Sequence, residues 1–300
     1  MSPKDKALSD DIVAVPLRHP WRWVSAVILV ALIGSFVYSL WASPNINHDI
    51  IDKYIFNEKV MAAALLTVVL TVISMFIGTI LAVIFAVMRL SPNPVLRAVA
   101  TGYVGFFRGT PLLLQVVFWG YLGIIYPNIE IGIPFTDIIW FSEKTSLVFT
   151  ALIAGIIALS LNEGAYAAEI VRAGILSVDA GQTEAAKSLG MSSGYTLRRI
   201  VLPQAMRVII PPMGNEFISM LKNTSLLQVV AVMELYARTS QISSQNLAQV
   251  ELLVVAGFWY LVMTTVLSIP QNYLEKKYGR GFSVADQKSR WMRIGMKGNV

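Results

Sequence analysis

The chain has 300 residues, of which 55% are hydrophobic and only 14% are charged. A soluble domain carries about 25% charged residues, so an ordinary soluble fold is excluded. Cysteine is absent, which removes disulfides, cysteine–zinc sites and thiol nucleophiles, and the two histidines, His19 and His48, flank one apolar run and cannot share a metal or complete a Ser-His-Asp site.

Six apolar runs hold almost no charge: residues 23–42, 60–88, 98–126, 145–171, 204–232 and 251–273. Each reaches the ~20 residues needed to cross a hydrocarbon core of about 30 Å. A β-barrel would instead alternate polar and apolar residues over about 10 residues per strand. The fold expected is all-α and polytopic, with about six transmembrane helices. Residues 1–22 read as a polar N-terminal tail, and 276–300 as a basic C-terminal tail.

The first run has Trp21, Trp23, Tyr38 and Trp41 at its ends, an aromatic belt on each side. It exceeds the 7–15 residues of a signal-peptide core and is expected to stay as a helix over 23–45. The second run ends at Arg89, and Ser91-Pro92-Asn93-Pro94 is a turn. The third is too long for one crossing, and Arg108-Gly109-Thr110-Pro111 should interrupt it. A loop over 127–144 follows. The fourth, about 145–172, turns polar at Asn162, Glu163, Tyr166 and Glu169. The fifth carries Pro211-Pro212, expected to open the helical hydrogen-bond ladder, then Asn215, Glu216, Ser219 and Lys222.

Nineteen of the 24 Lys and Arg fall in the two tails, in 89–108 and in 172–207, while four (Lys53, Lys59, Lys144 and Arg238) fall in the alternate segments. By the positive-inside rule both termini and the 173–203 loop are cytoplasmic. The sequence pI near 9.5 then reflects membrane orientation rather than nucleic-acid binding, because the basic residues flank spans.

Within 173–203 stands a polar island, Gln182-Thr183-Glu184-Ala185-Ala186-Lys187-Ser188-Leu189-Gly190. Asp179 and Gln182 have capping spacing, and Gly190 is a natural helix stop. A helix of about two turns results, marginal alone in water and in need of a partner surface. Ala185 and Ala186 lack bulk and would let a partner groove approach the backbone.

Ionisable groups inside a membrane cost at least about 2.5–3.5 kcal/mol unless they face a cavity or partner. Asn162, Glu163 and Tyr166 lie together on one helix; Asn215, Ser219 and Lys222 share a face of another, beside Glu216. Two readings stand: a polar path for a zwitterionic solute, whose ammonium group Glu163 and Glu216 would accommodate, or interhelical hydrogen bonds that fix the bundle.

The island continues a spacing: Glu184-Ala185-Ala186, three residues, Gly190, nine residues, Ile200, one residue, Leu202-Pro203. This resembles the cytoplasmic docking loop of bacterial ABC-importer permeases. Phe106-Phe107-Arg108-Gly109-Thr110-Pro111, Ala165-Tyr166-Ala167-Ala168-Glu169, Pro211-Pro212-Met213-Gly214-Asn215-Glu216 and Leu221-Lys222-Asn223-Thr224-Ser225 extend the resemblance over roughly 60–275. They are similar to the polar amino-acid type of binding-protein-dependent permease, the histidine/glutamine/arginine kind.

The resemblance implies a five-helix permease core, with the 23–45 helix additional. It implies two ATP-binding cassette subunits docked on Gln182, Glu184, Ala185, Ala186, Gly190, Ile200, Leu202 and Pro203. A second permease copy or similar permease, an extracytoplasmic solute-binding protein and a polar amino acid as cargo are implied with it. No Gly-Lys dipeptide occurs, so there is no phosphate-binding loop here, and the chain is expected to be no enzyme and to hold no cofactor or metal. An ion-coupled secondary transporter and a membrane scaffold are the competing classes.

Overall fold

A computed structural model describes residues 20–133, 136 and 138–278. The expected tails, and Pro134 and Asp137 of the 127–144 loop, lie wholly or mostly outside those residues. The chain divides at His48/Asp49 into two compact units.

The first unit contains α1 (Pro20–Trp41), exposed at every side chain from Trp21 to Trp41. A helix apolar all round with no buried face is suited to lipid. α2 (His48–Ile55) crosses the boundary. Then come α3 (Glu58–Leu90), α4 (Pro94–Gly109), α5 (Leu112–Gly120) and a one-turn α6 (Leu122–Ile125). A hairpin of β1 (Asn128–Gly132) and β2 (Ile139–Lys144) leads through one-turn α7 (Thr145–Val148) to α8 (Ala151–Leu176). α9 (Ala180–Ser188), one-turn α10 (Ser193–Thr196) and a π-helical turn (Leu197–Val201) precede α11 (Leu202–Asn223). A 3-10 stretch (Thr224–Val230), α12 (Leu235–Asn246) and α13 (Gln249–Tyr278) complete the described fold.

Side-chain caps set several starts. Asn57 accepts from the Lys59 amide ahead of α3, and Asn93 from those of Val95 and Leu96 ahead of α4. α3 and α8 form the central pair and meet through small residues, among them Gly78, Ala82 and Ala86 on α3 and Ala158, Gly164 and Ala168 on α8. Small residues let membrane helices approach closely. A Cβ on Gly78 would stand 2.7 Å from Glu163 Cγ, so this crossing needs glycine. One core cluster joins Leu70, Val116, Leu159, Met220 and Leu227; another joins Ala82, Val104, Ala167, Val171 and Ile209.

Four helices among the described residues are single pieces long and apolar enough to cross a membrane: α1, α3, α8 and α13. The 98–126 run is built from α4, α5 and α6, broken at Thr110-Pro111, and the 204–232 run from α11 and the 3-10 stretch. The fold is all-α and polytopic as expected, with one small addition, the β1–β2 hairpin of 128–132 and 139–144. Two local expectations are corrected. The fourth helix begins at Ala151 rather than 145, because Thr150 caps it by accepting from the Ile153 amide. Pro211 and Pro212 do not interrupt α11, and Gln271 Nε2 of α13 donates to the Pro211 carbonyl at 2.7 Å.

Candidate functional site

α9 is a short helix closed at both ends. The Asp179 carboxylate accepts from the Gly181 amide at 2.6 Å. At the other end Gly190 has φ +77°, the left-handed conformation that glycine adopts without penalty. The Met191 amide donates to Ala186 O at 3.1 Å and the Gly190 amide to Lys187 O at 2.9 Å, the paired bonds of a Schellman stop.

Gln182, Glu184, Ala185 and Gly190 are exposed. Ala186 is not: at 1% exposure it faces the protein, where α9 packs on α10 and the π-helical turn. Ala186 therefore seats the helix, and its lack of bulk serves this chain rather than a partner groove. Leu189, 82% exposed at the tip, is the apolar contact that residue-by-residue reading overlooked. Ile200 and Leu202 are half-buried where the π-helical turn feeds α11, and Pro203 is exposed in its first turn.

The intramembrane polar residues separate into two groups. Asn162 is buried and spent. Its Nδ2 donates to Phe107 O at 3.0 Å and to Gln115 Oε1 at 3.2 Å. The Phe107 carbonyl would normally bond the amide four residues on, and that residue is Pro111, which has none. Gln115 Nε2 also reaches Phe107 O, at 2.9 Å, and Thr110 Oγ1, at 2.8 Å. Asn162 thus satisfies the α4–α5 break left by the missing proline N–H, the interhelical reading of this residue.

Glu163, 4% exposed, lies against Gly78, and its Oε1 has no hydrogen-bond partner among the described residues. Glu216, half-buried, lies on α11, which packs on α8. Asn215 and Lys222 are exposed, and Ser219 is half-buried, on the same helix. Tyr166 is 39% exposed, with the Arg108 guanidinium 5.2 Å from its ring centre.

The structure adds one ionic knot and one hydrogen-bonded carboxylate that the sequence does not announce. Glu169 pairs with Arg89 of α3, with Arg172 at 2.9 Å and with Arg108 of α4 at 3.8 Å. Fully buried Glu234 caps α12, accepting from the Ala237 amide at 2.8 Å and from the Tyr260 hydroxyl at 2.7 Å. Nothing in the sequence shows which distant hydroxyl meets Glu234.

The chain is thus a lipid-suited helical bundle that exposes a capped two-turn helix on one connection, the architecture of a polytopic membrane protein. Residues 78–280 match the family described as binding-protein-dependent transport system inner membrane component, and the chain belongs to that family. It is 48% identical over 273 residues to the arginine transport system permease protein ArgU of Corynebacterium glutamicum, covering 90% of this chain and 84% of that one. It is 40% identical over 216 residues to the L-cystine transport system permease protein TcyB of Bacillus subtilis, covering 71% and 84%.

A solved amino acid ABC transporter with histidines superposes with a TM-score of 0.61 at 32% identity, over 73% of this chain and 94% of that chain. The methionine transporter MetNI in an inward-facing form gives 0.52 at 16% identity, over 72% and 95%, a likeness of fold alone. The chain is an ABC-importer permease, a multi-pass membrane protein, and the ion-coupled alternative is set aside.

Proposed function

We propose that this permease moves polar amino acids, with cationic ones such as arginine preferred, and takes its drive from two ATP-binding cassette subunits docked on α9. The observation that carries the coupling is α9 itself. It offers Glu184, Ala185 and Leu189 outward, is fixed behind by Ala186 and is closed by left-handed Gly190. A short helix held rigidly at both ends transmits a push; a flexible loop of that length would absorb it.

The cargo reading has two supports. The relative 48% identical is named for arginine. Buried Glu163 on α8 has a carboxylate oxygen without a hydrogen-bond partner among the described residues, half-buried Glu216 lies on α11, which packs on α8, and a guanidinium or ammonium group would satisfy such carboxylates. Exposed Asn215 and Lys222 on a membrane helix call for cover, and a second permease copy or a similar permease supplies it around a shared path. The termini and α9 face the cytoplasm, following the arginine and lysine distribution, and a solute-binding protein delivers cargo at the opposite end.

The test is uptake in proteoliposomes containing the assembled transporter and its binding protein, with arginine, lysine, glutamine and cystine compared. Arginine and lysine should be preferred, and Glu216→Gln should cut their uptake while leaving ATPase co-purification intact. Equal uptake of all four, unchanged in the variant, would overturn the cationic assignment.

A further inference from the structure

The β1–β2 hairpin lies outside the docking helix and the polar faces, and no part of the proposed transport cycle uses it. Its register pairs Asn128 with Lys144, Ile129 with Glu143, Glu130 with Ser142 and Ile131 with Phe141. Directly opposed residues point to the same face and alternate pairs to opposite faces. One face therefore carries Ile129, Ile131 and Phe141, with Glu143 at its root. The other carries Asn128, Glu130, Ser142 and Lys144, and there the Ser142 hydroxyl donates to Glu130 Oε1 at 3.3 Å. Past Ile131 the register shifts to Gly132 opposite Ile139, which leaves Trp140 unpaired and 69% exposed.

We propose that this hairpin is a lipid-surface anchor that lays its Ile129–Ile131–Phe141 face into the interfacial layer of the bilayer. Its root fixes its depth. The Thr145 amide donates to Pro127 O at 2.9 Å and the Thr145 hydroxyl to the Tyr126 carbonyl, so both strands leave from the end of an apolar run. Ile124, 78% exposed, with exposed Ile125 and Tyr126, adds apolar surface in the residues immediately before the root. Strands of five and six residues reach about 17–20 Å, so the hairpin lies near that boundary.

Within the chain the hairpin packs mainly on one-turn α7, and Ile131 and Phe141 are 56% and 42% exposed. A lone two-stranded hairpin is marginal in water and needs a surface to stabilise it. An unpaired exposed tryptophan suits the membrane–water interface, where tryptophan and tyrosine concentrate. Glu143 at the root sits at headgroup depth, where a carboxylate keeps its water.

The absence of native cysteine allows a direct test. Single variants Phe141→Cys and Ser142→Cys, neighbours on opposite faces, are labelled with nitrobenzoxadiazole. The assembled transporter is reconstituted in phosphatidylcholine–phosphatidylglycerol vesicles, with iodide on both sides. The label at 141 should emit at shorter wavelength, be quenched by lipid bearing a shallow nitroxide and lose iodide quenching. The label at 142 should show the reverse. Ile131→Cys reports the same face if Phe141→Cys fails to assemble. Equal iodide quenching at both faces would overturn the proposal. So would shielding of 141 only after solute-binding protein is added, which would make the hairpin a protein-docking surface.

Discussion

Glu169 gathers arginines from α3, α4 and its own helix, so one carboxylate sits among three guanidiniums that otherwise repel one another. Glu169→Gln should lower the unfolding temperature in detergent. The loss should shrink as salt rises, because the exposed repulsion it releases is screened. A salt-independent loss would point to packing instead. At the α3–α8 crossing the determinant is space. Gly78→Ala places a methyl group against Glu163 Cγ, and overpacking of this kind costs about 1–3 kcal/mol. Combining it with Glu163→Ala should recover much of that loss, and a denaturation cycle of the single and double variants measures the coupling. At this scale the sequence is legible where the cause is local. Gly190 and Asp179 announce a helix stop and start, and the structure shows a left-handed glycine and an N-cap. Glu169 was seen as an intramembrane charge, but its partnership with Arg89 joins residues far apart along the chain. No periodicity reports such a pairing. Asn162 is a similar case: its amide answers a carbonyl freed by a proline more than fifty residues away.

Elements were legible where punctuation is strong. The Gly109-Thr110-Pro111 break and the Asn93-Pro94 start both stand where the residues put them. Pro211-Pro212 does not break α11: the missing proline N–H groups release the carbonyls of Arg207 and Val208, yet the helix runs on to Asn223, packed against α8 and α13. The hairpin was hidden because its strands are short and its alternation is broken by a bulge. α1 is the opposite case, apolar on every side and exposed throughout. A chain starting at Asp49 should therefore insert, bind the ATPase and retain uptake; loss of ATPase co-purification despite correct insertion would place α1 in the working core.

For the whole molecule, the arginine and lysine distribution sets one sidedness for everything proposed. Single cysteines at Ser193 and Asn128 should label from opposite sides of the membrane, and labelling of both from one side would reverse or refold the topology. Family membership makes the chain the membrane component of a binding-protein-dependent transport system, and α9 is the part we propose couples it to the ATPase. Gly190 has open space around the position of a Cβ, so Gly190→Val acts through backbone strain alone, about 1–2 kcal/mol for leaving the left-handed region or remaining in it. That is too little to unfold the bundle but enough to misorient a two-turn helix. The most direct measurement is solute-stimulated ATP hydrolysis by the reconstituted transporter, wild type against Gly190→Val and Glu184→Lys, at matched membrane levels. Both variants should reach the membrane and lose the stimulation, or release the ATPase; wild-type stimulation in both would contradict coupling through α9.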